Sequence, residues 1–185
     1  MSRIFDAIIY TVFSIGVIGL TITSIRSLFR RNRDIAAEIA YRFMDGNNVL
    51  IRNYNLNLEP FDSIEERDSY LELVSVFSAV VTVFSVMSFS DSVARHLSGC
   101  LREAFKPSAL KTFDQTMVVI CVKHKLGQIL TLNGVMGFLD ILLESEYDFT
   151  SDERETFFLY VISIARGSVP AGFEVSRDKR LSFDI

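Results

Sequence analysis

The chain has 185 residues and a formal net charge of -4, and 49% of its residues are hydrophobic while 23% are charged. This length suits one folded domain with some residues to spare for an anchor or a tail. The mean hydropathy of +0.29 is high for a soluble domain with an ordinary charged fraction, so the apolar residues must be concentrated in particular segments. An acidic chain also lacks the basic surface that supplies most affinity for nucleic acids, and we expect neither DNA nor RNA as a partner.

The first apolar segment runs from Ala7 to Ile25 and contains nineteen residues without a charge. As a helix rising about 1.5 Å per residue it would extend about 28 Å, which is close to the thickness of the hydrocarbon core of a bilayer. A cleaved signal peptide would have a shorter apolar region and a cleavage site between small residues, whereas this long run ends in arginines. The pattern therefore predicts an uncleaved N-terminal transmembrane helix.

A basic collar follows this segment, and it consists of Arg26, Arg30, Arg31 and Arg33. Lys and Arg close to a span resist translocation, so we expect the collar on the cytoplasmic side of the cell (inner) membrane. The N-terminus would then lie outside and the body of the protein inside. The collar also suits anionic lipid head groups. The first 33 residues hold five basic residues and one acidic residue, which leaves 14 basic and 22 acidic residues, a net charge of -8, for the remainder.

A second apolar stretch, from Leu73 to Ser90, again has eighteen residues without a charge. It can be a second membrane span or the central helix of the folded body, covered by neighbouring helices on all sides. A second span would place Arg95, Arg102, Lys106 and Lys111 outside the cell, against the usual charge bias, and this favours the buried helix. Its serines and threonines recur every three or four residues and form a small polar stripe suited to close helix packing.

The rest of the sequence shows mainly helical patterns. An amphipathic helix from Asp34 to Met44 is expected to end at Gly46, and the Asn-rich stretch from Asn47 to Pro60 reads as a loop. Capping boxes at Ser63 and Thr150, each with a Glu three residues later, predict helix starts. Asp91–Gly99 either continues the preceding helix or starts a new one. Further helices are predicted within Ala109–Leu126, with Ser108 as the cap, and within Gln128–Glu146. The expected fold class is all-α, with an N-terminal transmembrane helix followed by a bundle of about five helices.

Three parts of the chain follow from these patterns. We expect residues 1–33 to be a membrane anchor with a basic cytoplasmic collar, residues 34–167 a cytoplasmic helical domain, and residues 168–185 a flexible C-terminal tail.

The sequence carries none of the common catalytic signatures. It has no phosphate-binding glycine-rich loop, no G-x-S-x-G, no H-E-x-x-H and no C-x-x-C. Neither histidine has Glu three residues before it, which excludes the di-iron bundle pattern. We therefore predict no catalytic residues and no cofactor, although an enzyme without a recognisable motif remains an alternative.

One constellation of possible metal ligands stands out. The only histidines and cysteines form two pairs, His96 with Cys100 and Cys121 with His124, each at a spacing that places both side chains on one helical face. Two facing helices joined near Pro107 would bring four zinc ligands of the right type together. Two features oppose such a zinc site. A hairpin that turns at Pro107 leaves the two pairs about five residues, or roughly 8 Å, out of register along the helices. In addition, Gly99 would let the chain swing His96 away from Cys100. We expect the four not to converge.

Function is expected to lie in binding. The leading hypothesis is a membrane-tethered helical interaction or regulatory module that acts at the cytoplasmic face through a protein partner or through self-association. The alternative is a two-span membrane-active effector, in which Leu73 to Ser90 inserts and several copies assemble through the Ser/Thr stripe to perturb the bilayer.

Overall fold

The computed structural model describes the backbone of residues 2–56 and 61–170, and within them the side chains of Val17, of residues 20–53 and of residues 61–170. The described residues form six α-helices and no strand, which confirms the predicted all-α class. The helices are α1 (Ser2–Leu56), α2 (Ile64–Met87), α3 (Asp91–Ala104), α4 (Pro107–Lys125), α5 (Leu132–Glu146) and α6 (Ser151–Ser168). Five helices thus follow the first, the number predicted for the bundle. Most of the predicted tail, residues 171–185, lies outside the described residues.

The first helix is one continuous element of 55 residues. It contains the predicted anchor, the collar and the predicted amphipathic helix. The predicted stop at Gly46 and loop from Asn47 are wrong as far as Leu56, because the buried face of the helix continues through Phe43, Asn47 and Leu50. Tertiary burial of this face outweighs the low helix propensity of glycine. Residues 57–60, the rest of the predicted loop, lie outside the described residues.

The second helix is the buried centre of the bundle. It packs against each of the other five helices, and its side chains from Leu73 to Phe84 are all buried. A helix that is apolar on every side needs cover on every side, and the burial agrees with the predicted central helix.

Most hydroxyls of the polar stripe bond within the helix itself. The hydroxyls of Ser78, Thr82 and Ser85 donate to the carbonyl oxygens four residues earlier, at 2.6 to 2.7 Å. Buried hydroxyls need such partners, and these bonds allow small polar residues to lie in an apolar core.

Two ends of the bundle can be distinguished from contacts between helices. Asn32 of α1 donates to Ser92 of α3, and Phe43 meets Phe105 further along, so α1 and α3 run in the same direction. The α2–α3 turn therefore lies at the collar end of the bundle, the end nearest the arginines. The ring of His124, in the last turn of α4, meets Phe84 near the end of α2, which places the α4–α5 connection at the same end. The opposite, far end holds the N-termini of α2 and α6 and the C-terminus of α5.

Several predicted helix limits need correction. The α4 helix begins at Pro107 with Lys106 as the N-cap residue instead of Ser108, since proline without an N–H suits the first helical position. The α5 helix begins at Leu132 and not at Gln128, because the chain turns at Gly127, where φ is +71°, before Thr131 caps the helix. Of the two alternatives left open for Asp91–Gly99, the structure shows a new helix, α3, which starts after Ser90.

The start of α6 is fixed by the predicted capping box and by an aromatic cluster. Thr150 and Glu153 make both reciprocal bonds of the box. At the start of α2, the Ser63 hydroxyl accepts a hydrogen bond from the backbone N–H of Glu66, as predicted. The Glu66 carboxylate, however, accepts from the backbone N–H of Asp62, one residue before the N-cap residue. Phe157 of α6 is fully buried, and its ring contacts the rings of Tyr70, Phe77, Phe149 and Phe158.

This contact set makes Phe157 a critical residue for stability. We expect Phe157→Ala to lower the free energy of unfolding by about 3–5 kcal/mol, because a large cavity would open between α2 and α6. Leu159→Ala, at a position 55% exposed on the same helix, should change it by less than about 0.5 kcal/mol. Chemical denaturation followed by circular dichroism measures both. Equal losses in the two variants would contradict the assigned core.

Candidate functional site

Helix α1 leaves the bundle near Asn32, and the part before it is solvent-facing. Every described side chain from Leu20 to Arg31 is exposed, and these include large apolar residues. The most exposed are Leu20, Leu28 and Phe29, at 70%, 59% and 57% of their surface. An apolar surface of this kind on a projecting helix marks an interaction site for a membrane or for another protein.

The collar lies on this projecting part of α1. Arg26, Arg30, Arg31 and Arg33 are all exposed. None of them forms an ion pair with another residue whose side chain is described. Four guanidinium groups are therefore available to an anionic surface.

The predicted transmembrane segment is only partly covered by the structure. It is helical throughout, but the side chains of residues 7–16, 18 and 19 lie outside the described residues. Among the described residues the helix that is long and apolar enough to cross a membrane is α2, and 78% of its most apolar window is buried in the bundle. The N-terminal span therefore stays a prediction.

The four candidate zinc ligands lie on two helices that do not form a closely packed pair. His96 and Cys100 lie on α3, which packs chiefly on α1 and α2, whereas Cys121 and His124 lie on α4, which packs on α2. The predicted swing at Gly99 is wrong, since α3 passes through Gly99 unbroken.

The surroundings of two of these side chains, His124 and Cys121, are given directly by the structure. The Nδ1 atom of His124 lies 2.8 Å from the carbonyl oxygen of Ile129, which fixes the ring at the end of α4. Burial raises the pKa of the Cys121 thiol, opposed by the charge of Lys125 and assisted to a smaller extent by that of Asp91. Within the described part of the chain no three His, Cys, Asp or Glu side chains are grouped as a metal site would require.

The far end of the bundle holds a cleft that the sequence did not predict. The far-end cleft has a volume of about 510 Å³, within the range of small-molecule and peptide sites. Its aromatic wall consists of Phe61, Tyr70, Tyr147 and Phe149. The Tyr70 ring lies 5.3 Å from that of Phe61 and 5.8 Å from that of Phe149, and the Tyr147 and Phe149 rings are stacked at 6.0 Å.

The polar rim of the far-end cleft is acidic. It is formed by the carboxylates Glu66, Asp148, Asp152 and Glu153, and no basic side chain lines the cleft in the part of the chain that the structure describes. Glu66, Asp152 and Glu153 lie in the first turns of α2 and α6, where they offset the helix dipoles. Asp148 lies between helices and has no such role.

Tyr147 belongs to the same electrostatic environment. Its pKa is raised, first by burial and then by the nearby carboxylates of Glu146 and Glu72. The phenol therefore remains protonated at neutral pH and able to donate a hydrogen bond. The cleft as a whole combines aromatic faces with negative charge, the two features that attract ammonium and guanidinium groups.

A second cavity, of about 400 Å³, lies between α1, α2 and the α3–α4 turn. Asn47 lines it, and its side-chain oxygen is buried without a hydrogen-bond partner among the described residues. The other polar lining groups are of both signs, including Arg67, Glu72 and Lys106. This mixture does not select one class of ligand.

The residues of the far-end cleft were missed because they come from three separate places in the chain. Its walls come from the start of α2, the α5–α6 connection and the first turn of α6. The only sequence signals at these places were the two capping boxes, which predict helix starts and not that they lie side by side. Packing of α5 and α6 on α2 creates the site.

The capping box on the rim generates a pH prediction. Hydrogen bonds from the Thr150 hydroxyl and backbone N–H lower the pKa of Glu153 below its ordinary value of 4.5. A lowered pKa in the folded state adds stability that is present above the unfolded pKa and is lost as the pH falls through the folded pKa. We therefore expect Thr150→Ala to return the Glu153 pKa towards 4.5. The variant should reduce stability at pH 7, and by a smaller amount once the pH falls below the folded pKa of Glu153, where only the loss of the cap bond from the Glu153 backbone N–H remains. Carboxyl NMR titration and unfolding at both pH values measure this; an unchanged pKa would contradict it.

Comparison with known proteins gives no further guide to the site. No protein family matches the chain, and no match was found among curated proteins or among solved structures.

Proposed function

We propose that this chain is a membrane-tethered helical module whose body binds a protein partner at the cytoplasmic face. The observation that carries the proposal is the continuity of α1. Its C-terminal part is buried in the bundle through residues such as Ile39 and Phe43, while its part before Asn32 projects with exposed leucine, isoleucine and phenylalanine side chains. A bilayer would cover this apolar surface and the uncharged segment from Ala7 to Ile25 together.

The collar supports the orientation. Its four exposed arginines follow the apolar segment directly and are free to meet anionic head groups. The charge bias of such flanks favours a cytoplasmic body and an external N-terminus.

The far-end cleft is the surface we propose for the partner. It lies at the end of the bundle opposite the collar, so a tethered body would present it away from the membrane. Its aromatic wall and acidic rim favour a basic segment of a partner, since arginine and lysine side chains are attracted both by aromatic faces and by carboxylates. No reaction is proposed.

The two-span effector remains the alternative because α2 is long and apolar enough to cross a membrane. Its insertion would require the bundle to open, since the side chains from Leu73 to Phe84 are covered by the other helices. The hydroxyl groups proposed to join several copies are bonded within α2, at Ser78, Thr82 and Ser85. Both observations favour the tethered module.

Topology mapping tests the choice between the two. Reporters fused after Arg33 and after Lys106 should both report the cytoplasm, because α2 is expected to remain in the bundle. A membrane fraction that resists carbonate extraction should contain both fusions. An external signal after Lys106 alone would show that α2 crosses the membrane and would favour the effector.

Site-specific photo-crosslinking tests the partner surface. A photoreactive residue in place of Tyr147, which is 41% exposed in the cleft, should give a covalent adduct in intact membranes. The adduct should weaken when Asp148→Lys reverses the charge of the rim. The same photoreactive residue in place of Tyr41, which is 75% exposed on α1 and outside the cleft, is the matched control.

An adduct at Tyr41 with none at Tyr147 would contradict the proposed surface. The mass of the Tyr147 adduct distinguishes a different protein from a second copy of this chain.

A further inference from the structure

The connection between α4 and α5, residues 126–131, exposes two leucines in a fixed conformation. Leu126 and Leu130 are 66% and 68% exposed, whereas Ile129 between them is buried. The backbone N–H groups of Gly127 and Gln128 donate to carbonyl oxygens in the last turn of α4, at 3.0 and 2.8 Å. The connection is therefore held in place by these bonds and by Ile129, and the leucines extend from it into solvent.

The charge around this connection is basic. Lys123 and Lys125 lie in the last turn of α4, and Arg95 lies near the start of α3. The collar arginines are at the same end of the bundle, together with the acids Asp34 and Asp91. Although the body as a whole is acidic, these basic residues place positive charge at the end that also exposes Leu126 and Leu130.

The position of the connection relative to α1 is set by two contacts. His124 meets Phe84, three residues before the end of α2, and Asn32 bonds to Ser92 just after the α2–α3 turn. The connection thus lies close to the level of Asn32 along α1. Asn32 is seven residues beyond Ile25, the end of the predicted span, which corresponds to about 10 Å along a helix. This distance is slightly larger than the interfacial layer on one side of a bilayer, roughly 5–8 Å, so side chains that extend from the connection towards the membrane can reach that layer.

We infer that the α4–α5 connection is a second membrane contact, which docks on an anionic bilayer surface beside the anchor. The inference rests on the proposed tether and specifies how the body sits on the membrane. Leu126 and Leu130 enter the interfacial layer, while Lys125 and the collar lie at the level of the head groups. Apolar burial and attraction to anionic lipid act together at such a site, as they do for interfacial helices.

A second contact also fixes the rotation of the body. A single helix would leave the bundle free to rotate about α1, whereas two points of attachment hold one face down. The far-end cleft is then directed away from the membrane.

Single-tryptophan fluorescence in vesicles tests the inference, because the chain contains no tryptophan. Three variants of the full chain are compared. Leu126→Trp places the fluorophore on the connection, and Leu20→Trp places it on the anchor. Ile141→Trp, at a position 67% exposed on α5, is the control. Each is reconstituted into vesicles of phosphatidylcholine, alone or mixed with phosphatidylglycerol, with brominated acyl chains as the quencher. Circular dichroism checks that the variants fold alike.

We expect Leu20→Trp to be quenched in both lipids and Ile141→Trp in neither. Leu126→Trp should be quenched and blue-shifted in vesicles that contain phosphatidylglycerol. This quenching should decrease in phosphatidylcholine alone, in high salt, or when Lys125→Glu is added, since each change weakens the electrostatic attraction.

Quenching at Leu20→Trp without quenching at Leu126→Trp would overturn the inference and leave the tether standing. Absence of quenching at Leu20→Trp would overturn the tether and the inference with it. Equal quenching of Leu126→Trp and Ile141→Trp would show non-specific adsorption of the body and would also overturn the inference.

Discussion

The requirement to cover α2 on every side determines the rest of the bundle. Its side chains from Leu73 to Phe84 include no charged residue and leave no polar face that water could solvate. Burial of a single large aliphatic or aromatic side chain contributes about 1.5–3 kcal/mol. The eight such side chains between Leu73 and Phe84 therefore strongly favour enclosure of the helix. The fully buried hydroxyls of Ser78 and Thr82 are bonded inside the helix and do not oppose its enclosure.

Helix α1 contributes to this cover and also extends beyond it. Its later turns pack on α2, α3 and α6 through Ile39, Phe43 and Leu50, which fixes its direction relative to the bundle. Because the helix is continuous through the collar, the same packing fixes the direction of the exposed apolar segment. In the proposed tether this makes the body a rigid extension of the membrane anchor. The far-end cleft would then be held at a set distance from the bilayer.

The sequence predicted the elements of the fold better than their arrangement. Capping boxes at Ser63 and Thr150 located two helix starts, because they depend on residues three apart in the chain. The continuation of α1 beyond Gly46 was not predicted, since it depends on contacts with α6 that no local pattern shows. Asn47 illustrates the limit further: its polar side chain suggested a loop, yet it is buried in a helix.

The far-end cleft escaped prediction for the same reason. Tyr70 and Tyr147 are far apart in the chain and are brought to one cavity by the packing of α5 and α6 on α2. The metal hypothesis assumed that α3 and α4 face each other as a hairpin, whereas α3 packs mainly on α1 and then on α2, and α4 packs on α2. Sequence spacing identified which of His96, Cys100, Cys121 and His124 share a helix but not which helices face each other.

The central claim is that α1 runs as one rigid helix from the bundle through the collar into the bilayer. Its most direct test is the distance between spin labels at Leu20→Cys and Tyr41→Cys, both exposed positions, in the full chain reconstituted in lipid and with Cys100 and Cys121 replaced by serine. A continuous helix predicts a narrow distribution near 32 Å, from about 1.5 Å per residue over 21 residues. A broad distribution centred at a shorter distance would mean that the helix breaks at the collar, and the account would be wrong.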